Sequence, residues 1–364
     1  MRLPIREDKA HLIDEEKAQA MVDNAIRAGV NYFDTAYIYH SEIPFHAGMS
    51  ELFLGSALKQ HRKKVYVATK LPSWFIQNRA DMDRYLDEQL ARLQTHQVDF
   101  YLVHGLSGEL WNKLSRLGVR EFLDSAKADG RIKHAGFSFH DEAPLFKPIV
   151  DAYDWGFCQV QYNFMDEDFQ AGRAGVQYAA SKGLGVVIME PLRGGGLSAR
   201  IPEEVQAVWD KGPVRRTAAE WALRFVWDRP EVSVVLSGMS EMWQLEENIR
   251  IAKAGSANSL SSAELALIQE AKAIYGARTR VKCTRCGYCM PCPSGVNIPA
   301  NFLQLNDLAT YRNRPAAEFF YFHILKEEQR ASHCQECGQC EERCPQHIPI
   351  PAMLKEVARE FEHR

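Results

Sequence analysis

Between residues 31 and 238, short apolar runs alternate with longer stretches whose apolar residues recur every three to four positions. The runs NYFDTA (31–36), KVYVATK (64–70), VDFYLVHG (98–105), IKHAGFSF (132–139), FCQVQYN (157–163), GVVIMEP (185–191) and VSVVLSG (232–238) predict strands. The stretches EEKAQAMVDNAIRAG (15–29), SELFLGSALKQ (50–60), ADMDRYLDEQLARLQ (80–94) and WQLEENIRIAKAG (243–255) predict amphipathic helices. Seven βα units in series, with no Gly-rich dinucleotide fingerprint, predict an α/β fold of the (β/α)8 TIM-barrel type rather than a doubly wound sheet. A closed barrel needs one more strand. Its only place is Met1–Pro4, where the signal is rudimentary, so a lost N-terminal segment of roughly 20 to 25 residues is expected from the barrel's need for an eighth strand.

The pattern changes near residue 275. The segment NFLQLNDLATYRNRPAAEFFYFHILKEEQR (301–330) has helical apolar spacing, and cysteines flank it. The chain is therefore read as a barrel over 1–275 and a small α-helical ferredoxin-like domain over 276–364. Of the nine cysteines, only Cys158 lies outside the second region, within a predicted strand that suits a core residue. The others form two groups: CTRCGYCMPCP, with Cys283, Cys286, Cys289 and Cys292, and CQECGQCEERCP, with Cys334, Cys337, Cys340 and Cys344. The second group has the bacterial ferredoxin spacing C-x2-C-x2-C-x3-C-P, and the first is one residue short before its last cysteine. Three closely spaced thiolates can cap three irons of one cubane, and the fourth must come from elsewhere. Two [4Fe–4S] clusters with crossed fourth ligands follow: Cys283, Cys286, Cys289 and Cys344 on one, Cys334, Cys337, Cys340 and Cys292 on the other. A pair of zinc sites is the alternative, but these usually use two separated C-x2-C pairs.

Charge adds little. With 44 basic and 47 acidic side chains, the balance of −3 points to neither nucleic acid nor an anionic membrane as a partner. No apolar run approaches the ~20 residues that span a bilayer. The N-terminus lacks the apolar core of a signal peptide, and abundant cysteines in metal-binding spacing suit a reducing compartment, so a cytoplasmic location is expected.

Barrel enzymes place reacting groups at the C-terminal ends of strands. Here the first strand leads into Asp34 and Tyr39, the second ends at Lys70 and the third at His104. Hydride addition to a carbonyl makes an alkoxide that must be protonated. A phenol of pKa ~10 is a weak acid at neutral pH, and a neighbouring cation lowers its pKa. Lys70 can be that cation, Asp34 its counter-charge and His104 a donor to the substrate oxygen. Tyr37 competes with Tyr39 for the acid's place. Each residue alone has a structural reading; the ordered set at consecutive strand ends is what points to chemistry.

The D-x4-Y spacing of Asp34 and Tyr39, the T-K end at Lys70, the V-H-G end at His104 and the stretch GMSELFLGSALK resemble the aldo-keto reductase family over roughly residues 1–275. The resemblance implies that Tyr39, which has the family spacing from Asp34, is the general acid supported by Asp34, Lys70 and His104. It implies an extended NADPH or NADH, with the carboxamide at Ser138 and Gln159 and the pyrophosphate near Pro191, Leu192 and Gly194. Met189 stands where many relatives carry an aromatic residue, in MEPL rather than before S-P-L. At the adenosine end, relatives that prefer NADPH carry Lys and Arg; here Gly238 and Gln244 take those places, with Ser237, Ser240, Gln244 and Asn248 as neutral donors.

The expected function is a nicotinamide-dependent oxidoreductase acting on a small carbonyl or alcohol, fused to an iron–sulfur electron-transfer module. Hydride carries two electrons whereas a cluster takes one at a time, and no flavin motif is present, so an external electron-transfer protein is a possible partner. The alternative is a redox-sensing or electron-transfer protein whose barrel is a docking or regulatory platform. Loops 41–49 and 197–216 are candidate rims of the substrate site, with Trp74, Phe75 and Trp111 as candidate apolar walls.

Overall fold

A computed structural model describes every residue except 1, 44, 200, 284, 286, 363 and 364. Its contacts group into two compact units, Met1–Arg193 with Glu220–Leu260, and Gly194–Ala219 with Ser261–Arg364. The first contains seven strands: β1 (Tyr32–Asp34), β2 (Tyr66–Leu71), β3 (Val98–Leu106), β4 (Ile132–Phe139), β5 (Phe157–Gln161), β6 (Gly185–Met189) and β7 (Val232–Val235). They form one parallel sheet in sequence order, with β1 and β7 at its edges. This is the repeated βα architecture read from the sequence, with seven strands among the described residues instead of eight. Residues 2–4 are not a strand. Leu3 is buried and donates its N–H to His40 Nε2 at 3.1 Å, and the chain then folds back through an antiparallel bridge between Ile5 and Ile13.

Up to Arg193 the helices of this unit run in chain order as α1 (Glu15–Arg27), α2 (Ser50–Ala57), α3 (Arg79–Arg92), α4 (Gly108–Arg116), α5 (Val119–Ala128), α6 (Ala143–Asp151) and α7 (Gly172–Ser181). Helix α1 shows why they form: Ala18, Met21, Val22 and Ala25 fall on one face and are buried, and the Asp14 carboxylate accepts from the Lys17 N–H. Helix α3 begins with a reciprocal capping box between Asn78 and Asp81. Ala68, Leu102, Phe157 and Val187, from four different strands, form an inner apolar cluster. Phe157 reaches across Gly136, where a Cβ would stand 2.5 Å from its ring, so β4 needs glycine there.

A buried polar network fixes the end of β2 against α2 and α3. Thr69 Oγ1 and Gln89 Nε2 donate to Glu51 Oε1 at 2.5 and 2.8 Å, and Arg92 Nε donates to Glu51 Oε2 at 2.9 Å. Gln89 Nε2 also donates to the backbone oxygen of Lys70 at 2.9 Å. Satisfied buried polar groups of this kind rigidify their surroundings; here they hold the strand end that carries Lys70.

The remaining helices are α8 (Glu203–Trp209), α9 (Ala218–Trp227), α10 (Met242–Ala254), α11 (Ser262–Ala277), α12 (Ile298–Tyr311), α13 (Arg314–Phe319), α14 (Gln339–Glu342) and α15 (Ile350–Phe361). In the second unit, Val296, Phe302, Leu305, Tyr321, Leu354 and Phe361 belong to one core. The Tyr321 and Phe361 rings stack at 4.5 Å. The helical insert expected over 301–330 is present but broken: Arg312 has φ 52°, Asn313 caps the next helix, and a π-helical turn follows at Phe320–Ile324. Among the described residues no helix is long and apolar enough to cross a membrane.

Candidate active site and cysteine centres

Lys70 is fully buried at the end of β2. Its Nζ donates to Asp34 Oδ2 at 2.7 Å and to the Thr35 carbonyl at 2.7 Å, and lies 4.9 Å from the centre of the Tyr39 ring. The His104 ring meets the Tyr39 ring edge-on at 6.0 Å. The four side chains proposed from strand-end positions are thus brought to one place. Tyr37 is not among them: its hydroxyl donates to Glu88 Oε1 at 3.0 Å, on α3.

The charges follow from burial and pairing. Burial alone would lower the Lys70 pKa, but Asp34, then Tyr39, outweigh it, so the amine stays an ammonium through the neutral range. Burial raises the Tyr39 pKa; Lys70 opposes this without cancelling it, and Asp34 and Glu190 add to the rise. The sequence reading has the lysine lowering the phenol, and its pull does act in that sense, but burial is the larger effect. Tyr39 therefore remains protonated at neutral pH, as a proton donor must. His104 is pushed well below the usual imidazole range by burial, then by the Lys70 charge, and is neutral. Gly105 follows it at φ 60°, where a Cβ would stand 2.8 Å from the Trp74 ring. Trp74 in turn packs edge-on against His104 at 5.0 Å and Phe45 at 5.6 Å. Of the candidate apolar walls, Trp74 borders His104, whereas Phe75 packs on Tyr37 and Tyr85 and Trp111 on Trp155.

The depressed His104 pKa has a measurable consequence. Below the unfolded value of about 6.5 the unfolded chain binds a proton at this residue and the folded chain does not. Stability therefore falls as pH drops below that value. Urea unfolding between pH 7.5 and 5.5 should give a shallower acid limb for His104→Gln, by up to about 1.4 kcal/mol per pH unit. Equal slopes in the two proteins would contradict a neutral, buried His104.

Ser138 and Gln159 are cross-strand partners on β4 and β5, both buried. Ser138 Oγ accepts the Gly105 N–H at 2.7 Å. Gln159 Nε2 donates to Met189 Sδ at 3.6 Å, while Gln159 Oε1 is buried without a partner. A buried oxygen without a donor is costly, and a carboxamide N–H of a nicotinamide would satisfy it. Pro191 and Leu192 follow β6. Their loop is pinned by Asp166, which accepts from Gln161 and Asn163 at 2.8 Å each and pairs with Arg193. Gly194, at φ 61°, belongs to the second unit. After β7, Ser237 Oγ accepts from Asn248 Nδ2 at 2.9 Å, and Gln244 Oε1 accepts the Ser240 N–H at 3.0 Å.

Two residues at this site escaped the sequence reading. Arg2 lies against Gly238, where a Cβ would stand 3.0 Å from Arg2 Cβ and 3.5 Å from its guanidinium carbon. It places a cation beside a loop that has none at 238 or 244. Glu190, at φ 53°, projects an exposed carboxylate whose charge reaches Tyr39. An acid within MEPL, in the serine's place in S-P-L, was the available signal for Glu190; nothing in the sequence signals Arg2.

In the second unit, Cys283, Cys289 and Cys344 line one pocket together with Ile298, Phe302 and Ile348. Cys286 lies outside the described residues. Cys334 is within electrostatic reach of Cys292 and Cys337, and Cys340 of Cys334 and Cys337. Among the described residues, Cys344 therefore sits with Cys283 and Cys289, and Cys292 lies near Cys334. Gly287 and Gly338 have φ 77° and 76° at the same place in the two motifs. Among the described residues no three His, Cys, Asp or Glu side chains converge closely enough to hold a single metal ion.

The model of the aldo/keto reductase family matches residues 5–273. The chain belongs to the aldo/keto reductase family. A 4Fe-4S dicluster domain matches residues 282–348. An uncharacterized oxidoreductase of Bacillus subtilis, YqkF, is 24% identical over 267 residues, covering 66% of this chain and 84% of that protein. L-galactose dehydrogenase of Arabidopsis thaliana is 28% identical over 261 residues, covering 65% and 78%. The holo form of aldo-keto reductase AKR11C1 from Bacillus halodurans superposes with a TM-score of 0.58 at 25% identity, covering 71% of this chain and 87% of that one. This aldo/keto reductase is an oxidoreductase with an added 4Fe-4S domain.

Proposed function

We propose that this reductase, over residues 1–275, interconverts a small carbonyl and its alcohol with NADPH or NADH, and that residues 276–364 carry two [4Fe–4S] clusters that exchange electrons with an external protein in the cytoplasm. The observation that carries the reading is the buried Lys70 ammonium held between Asp34 and the Tyr39 ring, with neutral His104 alongside. A bound nicotinamide supplies or accepts the hydride. Gln159 Oε1 and Ser138 would hold its carboxamide, and the loop at Pro191 and Leu192 its pyrophosphate. Arg2, with Ser237, Ser240 and Asn248, would bind the adenosine end, and the arginine favours the 2′-phosphate of NADPH. Neutral His104 donates a hydrogen bond to the substrate oxygen and orients it. Tyr39 gives that oxygen its proton, and Lys70 steadies the phenolate that remains.

The cluster ligands proposed are Cys283, Cys286, Cys289 and Cys344 for one, and Cys292, Cys334, Cys337 and Cys340 for the other, supported by the thiol neighbourhoods. Anaerobic purification with iron and sulfide analysis, followed by a carbonyl screen with each nicotinamide, tests both halves. Brown protein with iron and sulfide for two cubanes, and turnover that prefers NADPH, is the expected result. Iron for one cluster, or no turnover on any carbonyl, would reject the corresponding half.

A further inference from the structure

The two cysteine loops take matching left-handed dihedrals at two described positions but carry opposite charge. In C-x-X-C-G, the position before the second cysteine is Arg285 in the first motif and Glu336 in the second, with φ 58° and 55°. Each precedes a cysteine and then a glycine of positive φ, Gly287 at 77° and Gly338 at 76°. From the residue before the first cysteine to the last cysteine, the first motif holds Lys282 and Arg285 and no acid, giving +2. The second holds Glu336, Glu341, Glu342 and Arg343, giving 1 − 3 = −2 with His333 neutral. Arg285 also lines the pocket shared by Cys283, Cys289 and Cys344.

Resting on the two-cluster reading above, we infer that Arg285 and Glu336 separate the potentials of the clusters, so that the one bound by Cys283, Cys289 and Cys344 accepts the first electron. Reduction adds one negative charge to a cluster and breaks no bond; the electron comes from an external one-electron donor. A nearby cation stabilises that charge and a nearby anion destabilises it. Burial acts the other way for the first cluster, since an apolar pocket disfavours added charge. Among the described cysteines burial differs at two, Cys344 being buried and Cys337 exposed, while Cys283, Cys289, Cys292, Cys334 and Cys340 are all partly buried. Arg285 is itself exposed, so solvent screens part of its pull as well. Glu336 pairs with Lys355 at 2.6 Å, but both side chains are more than half exposed, and solvent weakens that compensation. Exposed Cys337 further makes the second cluster the point of contact for an outside donor.

The test is a dithionite titration of the anaerobic full-length protein followed by electron paramagnetic resonance. Two resolved one-electron waves of equal spin are expected. Arg285→Glu should shift the upper wave down, Glu336→Arg should shift the lower wave up, and either should narrow the gap. Arg285→Gln, which keeps a neutral side chain of similar reach, should shift the upper wave by less, and serves if the glutamate variant loses its clusters. Coincident waves in the wild type, or waves that neither Arg285→Gln nor Glu336→Arg moves, would overturn the inference. Iron for a single cluster per chain would instead reject the two-cluster reading, so the failures are distinguishable.

Discussion

Tyr39→Phe should lower carbonyl reduction by about 10²–10⁴-fold, the range that positioned proton transfer contributes, while nicotinamide binding stays close to wild type. The phenyl ring keeps the shape that packs edge-on to His104 and beneath which Lys70 sits. Only the hydroxyl is lost, and with it the proton that burial keeps on the oxygen at neutral pH. Because His104 is neutral and Lys70 is committed to Asp34 and the Thr35 carbonyl, neither is placed to take over as acid. Steady-state kinetics should therefore show the loss in kcat with little change in cofactor affinity, measured by quenching of protein fluorescence. Unchanged turnover would remove Tyr39 as the acid and favour a barrel that serves as a platform for the iron–sulfur module.

Strands are legible in the sequence where a pattern repeats. Near-continuous apolar runs such as VDFYLVHG mark strands buried on both faces, and each observed strand lies within or beside its predicted run. Asp34, Lys70 and His104 were legible because parallel strands in sequence order put their C-terminal ends side by side. Residues set by folding back were not. Arg2 meets Gly238 only because the N-terminal segment turns past His40, a contact between positions 236 apart that no local spacing encodes. Glu190 projects where it does because its backbone takes a left-handed turn, held by Asn163 Nδ2 and the Arg193 N–H on its carbonyl. The helical spacing over 301–330 is real, yet Arg312 and the following Asn313-Arg314-Pro315 interrupt it, since proline is accommodated at the start of a helix and not inside one.

Stripping iron from the protein should unfold the region around α12 and α15. The core there is not purely aliphatic: Cys344 is one of its buried members, and Cys283, Cys289, Cys292, Cys334 and Cys340 pack against it. Clusters held as proposed would cross-link these sulfurs through metal; without them, two loops with left-handed residues at Arg285, Gly287, Glu336 and Gly338 must hold their shape unaided. Structural zinc contributes on the order of 10 kcal/mol to a small finger domain, a cluster held by four thiolates is expected to act in the same sense, and folded domains are stable by only about 5–15 kcal/mol. Losing the clusters should therefore remove most of the margin. Hydrogen exchange before and after anaerobic chelation would show it: amides of Phe302–Leu308 and Leu354–Ala358 should pass from strongly protected to nearly unprotected. Protection within tenfold of the untreated protein would mean that stacked Tyr321 and Phe361, with the apolar side chains around them, suffice to hold the fold, and that the clusters serve electron transfer alone.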